Sequence, residues 1–136
     1  STAWVTESTE EFVRSFRRSR KRHEASCDAA LTRLQNFHDW WLNNPQLAPG
    51  FHLPGWVHPE GKGVLAVDQG TKGNLAAIRI YLYLDHPSRR IWLLRVGDKQ
   101  SQHADIAYCH GWVERFNQDM ATRTTKSRTH RDVFSL

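Results

Sequence analysis

Two stretches of the sequence combine apolar residues with groups that bind anions. Ile78 to Leu84 alternates between aliphatic and other side chains, which places Arg79, Tyr81 and Tyr83 on the face opposite the aliphatics. Leu94 to Ile106 leaves an apolar strand, turns through charged residues and enters a helix. Together the two stretches predict a cationic site on an open sheet.

The composition agrees with an anionic partner. Lysine and arginine number 19 against 14 aspartates and glutamates, and the chain carries six tryptophans, six phenylalanines and three tyrosines. Basic and aromatic residues together favour RNA or DNA as a partner. The length of 136 residues suits one domain with a single core.

Cysteine usage and hydropathy predict where the protein works. Cys27 and Cys109 fall at apolar positions of helical patterns, where a reduced, buried thiol is the common state. We therefore expect a reducing, cytoplasmic compartment. The sequence has no signal-peptide pattern, and no stretch approaches the roughly 18 apolar residues of a membrane span. These features predict a protein that is not exported and has no membrane partner.

The first half of the chain is typical of a short strand followed by two helices. The strand is predicted at residues 3–6, and Ser8 and Glu11 have capping-box spacing at the start of the first helix. Phe12 and Phe16 mark the buried side of this helix, and the basic residues that follow predict a solvated face. The second helix is predicted to end at 43–45, and its apolar stripe consists of Cys27, Ala30, Leu31, Leu34, Phe37 and Trp41.

The second half predicts a sheet and a closing helix. A proline- and glycine-rich loop over residues 45–63 precedes strands at 63–67, 78–84 and 90–96. In the last strand, strict alternation groups Trp92, Leu94 and Val96 on one side and Ile91, Leu93 and Arg95 on the other. The closing helix carries a stripe of Ile106, Cys109, Val113, Phe116 and Met120.

This order of elements predicts an α+β fold, with a small antiparallel sheet packed against two N-terminal helices and a C-terminal helix. Residues 1–120 are predicted to form one domain with an exposed cationic sheet face. Residues 121–136 are basic and without apolar periodicity, and they are predicted to form a mobile tail.

Three segments carry a family resemblance. Val5-Thr6-Glu7-Ser8-Thr9-Glu10-Glu11-Phe12 looks like an opening strand and helix start, Ile78-Arg79-Ile80-Tyr81 looks like an arginine-bearing strand, and Leu94 to Ile106 looks like a strand, Gly-Asp-Lys turn and Asp-Ile helix entry. In these segments the chain resembles the RelE/ParE superfamily of bacterial toxin-antitoxin toxins, and within it the HigB-like addiction-module killer proteins.

The resemblance implies a RelE-like fold and a toxin that inhibits translation. Such a toxin is a metal-independent endoribonuclease without a cofactor. It cleaves messenger RNA, usually on the ribosome in the bacterial cytoplasm, and a cognate antitoxin protein silences it. Cleavage without a metal requires a base for the 2′-hydroxyl, cations for the anionic transition state and an acid for the departing oxygen.

Four residues are predicted to be catalytic. Arg79 would bind the phosphate and stabilise the transition state, because a guanidinium offers phosphate oxygens a rigid fork of donors. Arg95 and Lys99 would add positive charge. His103 would act as acid or base, because the unperturbed pKa of histidine lies near neutrality.

Further residues are predicted to bind substrate. Tyr81 or Trp56 would stack on a base, and Asp98 would orient a neighbour. Many relatives carry a glutamate and an arginine in the strand before the arginine strand, whereas this chain has Val64-Leu65-Ala66-Val67-Asp68-Gln69. Lys62 or Lys72 would have to supply the missing cation.

Each of these assignments has a structural alternative. Arg79 can pair with a carboxylate across the sheet, and Asp98 and Lys99 can form a turn salt bridge. His103 can be an ordinary residue of a first helical turn, and Tyr81 an ordinary strand former.

Two other functions stay open beside the ribonuclease. One is a toxin of the same fold that acts on DNA gyrase, and the charged turn after Val96 weighs against it. The other is a non-catalytic module that binds RNA or a protein partner, which the missing cation near Asp68 favours. The histidines match no metal-binding spacing, so no metal site is predicted. The oligomeric state is left open.

Overall fold

The computed structural model describes residues 3–44, 53–70 and 76–135, with side chains described as far as Arg123. The elements follow the chain as β1 (Val5–Ser8), α1 (Glu10–Arg22), α2 (Glu24–Asn43), β2 (Val57–Pro59), β3 (Val64–Asp68), β4 (Ile78–Asp85), β5 (Arg90–Asp98) and α3 (Gln102–Ser135). No helix in these described ranges is long and apolar enough to cross a membrane.

The five strands form one sheet in the order β1-β5-β4-β3-β2. The α+β prediction is confirmed, but the sheet is mixed, because β1 runs parallel to β5 while the other neighbours are antiparallel. The sequence did not predict β2, which lies in the proline-rich segment. Its Pro59 is tolerated because β2 is an edge strand, where a residue without an N–H need not interrupt the hydrogen bonds between strands.

The first helix begins one residue later than the capping box suggested. Thr9, not Ser8, is the N-cap, and its Oγ1 accepts a hydrogen bond from the N–H of Phe12 at 3.1 Å. The same hydroxyl donates to the carbonyl of Leu93 at 2.9 Å. The cap therefore fixes the start of α1 and also joins it to β5.

One face of the sheet packs against α1 and α2. The predicted stripe of α2 supplies much of this core, although Leu31 is exposed because it lies at the margin of the stripe. The two N-terminal helices thus pack against the sheet, as the sequence predicted. The core on this side includes Phe12, Cys27, Ala30, Phe37, Trp41, Ile80, Leu82 and Leu93.

The opposite face is not open, so the prediction of an exposed cationic sheet face is wrong for much of its area. Helix α3 lies on this face, and its Cys109 and Val113 form a second core with Val64, Ala66, Tyr81 and Leu94. The helix covers the sheet because its apolar stripe needs a partner surface as much as α2 does. It continues to Ser135, beyond the predicted helix end near Ala121, and the mobility of residues 121–136 stays a prediction.

A β-bulge reverses the side-chain alternation along β5. Tyr81 pairs with Arg95 while Leu82 pairs with Leu93, so Leu94 is the extra residue. Arg95 therefore faces α3, and Val96 belongs to the core beneath α1 and α2. The predicted grouping of Val96 with Leu94 is wrong for this reason.

The two cysteines are separated by the sheet. Cys27 belongs to the core beneath α1 and α2, whereas Cys109 belongs to the core beneath α3, and both are free and fully buried. Burial raises the pKa of the Cys27 thiol and raises that of Cys109 to about 12. A buried neutral thiol is a poor nucleophile.

We therefore expect both thiols to resist iodoacetamide in the native protein at pH 8. Raising the pH to 9 should have little effect, because burial shields both thiols from the reagent and the pKa of Cys109 is raised to about 12. Mass spectrometry should detect two labelled cysteines only after denaturation. Rapid labelling of either cysteine in the folded protein would contradict this burial.

Candidate functional site

A histidine and a carboxylate contact each other on the sheet face that α3 covers, at a margin that the helix leaves open. His58 on β2 lies opposite Ala66 on β3. Asp68 is two residues beyond Ala66 on β3, so its side chain lies on the same face of the sheet as those of Ala66 and His58. The Nε2 atom of His58 lies 2.8 Å from Oδ2 of Asp68. The side chains are 34% and 30% exposed, so both can meet a ligand from solvent.

The second oxygen of Asp68 is held from two sides. Oδ1 accepts a hydrogen bond from the N–H of Gly70 at 2.8 Å and lies 3.6 Å from a guanidinium nitrogen of Arg33. These contacts fix the carboxylate, which leaves Oδ2 for the imidazole. Because a carboxylate oxygen accepts, the imidazole of His58 donates to Asp68 through Nε2, and Nδ1 is the ring nitrogen that Asp68 does not contact.

Arg79 joins this group from the next strand. It is the cross-strand partner of Asp68, and its Nη1 donates to Oε1 of Glu60 at 3.1 Å. Arg79 is 28% exposed and Glu60 15%. The structure thus has the carboxylate pairing that was the structural alternative for Arg79.

We call His58, Glu60, Asp68 and Arg79 the edge site. Its position is fixed by α3, because Nε2 of His110 donates to the main-chain carbonyl of Glu60 at 2.7 Å. An imidazole paired with a carboxylate can accept and return a proton, and a neighbouring guanidinium can stabilise negative charge. In the described part of the chain no three histidine, cysteine or acidic side chains cluster as metal ligands would.

Two aromatic residues predicted to stack on a base are differently placed. Tyr81 is fully buried beneath α3, and burial raises the pKa of its phenol above the usual range. Its ring has no face open to a base, so this structure contradicts a stacking role. Trp56 is partly exposed, but the guanidinium of Arg33 lies over its ring at 5.1 Å.

Arg95 mainly neutralises a buried acid. Its Nε lies 2.9 Å from Oδ1 of Asp105, which is 1% exposed, and its guanidinium lies 4.7 Å from the ring centre of Tyr108. Burial raises the pKa of Asp105, while a hydrogen bond from Ser101 and the charge of Arg95 oppose that rise. The remaining exposure of Arg95 is 22%, toward the end of β5.

The charged turn after β5 is a structural turn around Ser101. The N–H of Ser101 donates to Oδ1 of Asp98 at 3.1 Å, and the N–H of Asp98 lies 3.2 Å from Oγ of Ser101. Asp98 is therefore engaged within the turn. Lys99 and His103 are exposed, and their catalytic roles stay predictions.

The two lysines proposed as substitutes for the missing cation have different outcomes. Lys62 is half-exposed and pairs with Glu114 on α3, so its charge is already partly matched. Lys72 lies outside the described residues. Among the described residues, Arg79 belongs to the edge site, and Arg33 contacts its Asp68.

No family model matches this sequence, and a search of curated proteins finds no match. The sequence alone did not indicate His58, Glu60 and Asp68 as site residues. The only local signal was the alternation in Val57-His58-Pro59-Glu60, which proline made resemble a loop. Pairing His58 with Asp68 requires the β2–β3 register, which a single sequence does not show.

Proposed function

We propose that this chain is a metal-independent endoribonuclease of the RelE/ParE toxin type, which cleaves messenger RNA at the edge site. The observation that carries the proposal is the 2.8 Å contact between His58 and Asp68 beside Arg79, at a partly exposed margin of the sheet. This margin offers a base, an orienting carboxylate and a phosphate-binding cation within neighbouring strands.

The proposed reaction is an internal transfer at one phosphate. Nδ1 of His58 takes the proton of the 2′-hydroxyl, and the 2′-oxygen attacks the adjacent phosphorus. The bond to the 5′-oxygen breaks, and that oxygen takes a proton from water. The His58 imidazolium then returns its proton to the solvent. The products are a 2′,3′-cyclic phosphate and a 5′-hydroxyl. Asp68 stabilises the imidazolium, and Arg79 stabilises the charge on the phosphorus oxygens.

The order of elements adds support for the family assignment. The opening strand β1 is followed by two helices and pairs with the last strand, β5. The arginine-bearing strand β4 lies on the other side of β5. The partners that accompany this assignment are messenger RNA, the ribosome and an antitoxin protein. The proposed setting is the bacterial cytoplasm.

Arg79→Gln is expected to lower the rate of RNA cleavage by about 100-fold, which is the scale of removing one transition-state donor. Glutamine keeps a polar, partly exposed side chain on β4, so the fold should be kept. The measurement is cleavage of single-stranded RNA in EDTA, with and without ribosomes. Arg90→Gln is the matched control, because Arg90 pairs with Glu7 at the far end of β5. Equal rates for wild type and Arg79→Gln would remove the proposed role.

A non-catalytic RNA-binding module is the second candidate. Arg79 is already paired with Glu60, whereas among the described residues Arg17, Lys21 and Arg22 on α1 have no carboxylate partner. Tight RNA binding without cleavage would identify this function. A gyrase-directed toxin stays a prediction, which DNA damage with intact messages would support.

A further inference from the structure

A second cationic feature lies outside the edge site. The end of α1, the end of β5 and the start of α3 enclose a cleft of about 260 Å³, which we call the α1–α3 cleft. Its polar lining includes Arg18, Arg22, His23, Arg95 and Ser101. A neighbouring pocket of similar volume shares Arg22 and His23 and adds Lys99.

The lining of the cleft has an excess of positive charge. Asp105 is paired with Arg95, and Asp98 accepts a hydrogen bond from the N–H of Ser101. Three guanidiniums and two carboxylates line the cleft, so these groups leave a net charge of +1. Arg18 is mostly exposed and approaches Glu11 only at 3.9 Å. Arg22 is exposed and has no carboxylate partner among the described residues. Two guanidiniums therefore remain available to an anion.

The cleft adjoins the edge site through the sheet. Gly97, which lines the cleft, is the cross-strand partner of Arg79. Paired residues on antiparallel strands have Cα atoms about 4.5 to 5.5 Å apart. A nucleic-acid strand that crosses the ends of β3, β4 and β5 would pass from the edge site into the cleft.

We propose that the α1–α3 cleft binds a backbone phosphate of single-stranded RNA next to the phosphate that is cut. The direction of the strand rests on the proposed ribonuclease function, but binding in the cleft does not. Guanidinium forks match the oxygens of a phosphate. An acidic protein segment fits less well, because the cleft is small and protein interfaces centre on aromatic and apolar anchors.

The test compares two doubly substituted chains of equal charge. Arg18→Gln with Arg22→Gln removes the two available cations of the cleft. Arg14→Gln with Arg20→Gln removes two cations from the same helix outside it. The probe is a fluorescent single-stranded RNA with 2′-O-methyl groups throughout, which cannot be cleaved, and binding is measured by anisotropy at several salt concentrations.

The cleft variant is expected to bind at least about tenfold more weakly than wild type, and the control less than about threefold. The slope of log K against log salt should fall by about 0.7, because the cleft is proposed to bind one phosphate and each phosphate contact contributes about 0.7 for single strands. Equal weakening in both variants would overturn the proposal, since only the overall charge would then matter. Cleft-dependent binding of polyglutamate without an effect on RNA would also overturn it.

The outcome is separable from that of the proposed function. Selective loss of binding in the cleft variant supports the cleft even if the wild-type chain cleaves no RNA. Cleavage by the wild type, together with equal RNA binding by the two variants, would retain the edge site and reject the cleft.

Discussion

His58→Asn is expected to lower RNA cleavage by about 100- to 10,000-fold, the range that a positioned acid–base group contributes. Asparagine keeps a polar side chain on β2 but cannot take the proton of the 2′-hydroxyl at neutral pH. The side chain is 34% exposed and lies on an edge strand, so stability should change little. Cleavage rates and thermal unfolding, measured on the same preparation, separate the two effects.

His38→Asn is the matched control for this substitution. His38 is a partly exposed histidine on α2, on the other side of the sheet from the edge site. Its cleavage rate should equal that of wild type. His103→Asn tests the assignment made from sequence alone. If His103→Asn loses activity while His58→Asn keeps it, the base lies at the start of α3 and the edge site is not the reaction centre.

Gly97→Ala is expected to destabilise the fold by about 3 kcal/mol or more, at or above the upper end of the usual cost of overpacking. A Cβ atom at this position would overlap the carboxylate of Asp105 and lie 2.6 Å from Oγ of Ser101. Asp105 is almost fully buried and paired with Arg95, so it has little room to move. Displacing it would leave charged groups poorly paired in the interior.

Urea unfolding measures this effect, and Gly55→Ala supplies the control. A Cβ at Gly55 would have no atom within 4 Å, so its unfolding midpoint should stay near that of wild type. A Gly97→Ala protein with wild-type stability would show that Asp105 is not fixed against β5. Such a result would also show that the close contact of Gly97 with Asp105 and Ser101 is not needed for the shape of the cleft.

The sequence predicted the elements whose side chains repeat with a clear period. The stripe of Cys27, Ala30, Phe37 and Trp41 placed α2 on the sheet, and that packing is present. The stripe through Cys109 and Val113 predicted a docked helix, but its docking face was not foreseen. An apolar stripe indicates that one face of a helix is buried, but it does not indicate which surface of the protein covers that face.

The site was harder to predict because it depends on contacts between strands. Arg79 was found from sequence because it interrupts a regular strand, and its pairing with Glu60 was foreseen only as a carboxylate contact. The placement of Arg95 follows from a bulge, which alternation cannot show. His58 and Asp68 meet only because β2 forms, and proline obscured that strand.

The most direct test of the central claim is to map messenger RNA 5′ ends in bacterial cells that briefly express the chain or its His58→Asn variant. The edge-site mechanism predicts new 5′-hydroxyl ends within translated codons for the wild type, and none of them for the variant expressed at the same level. Intact messages in wild-type cells, or the same new ends in both strains, would contradict RNA cleavage by the edge site.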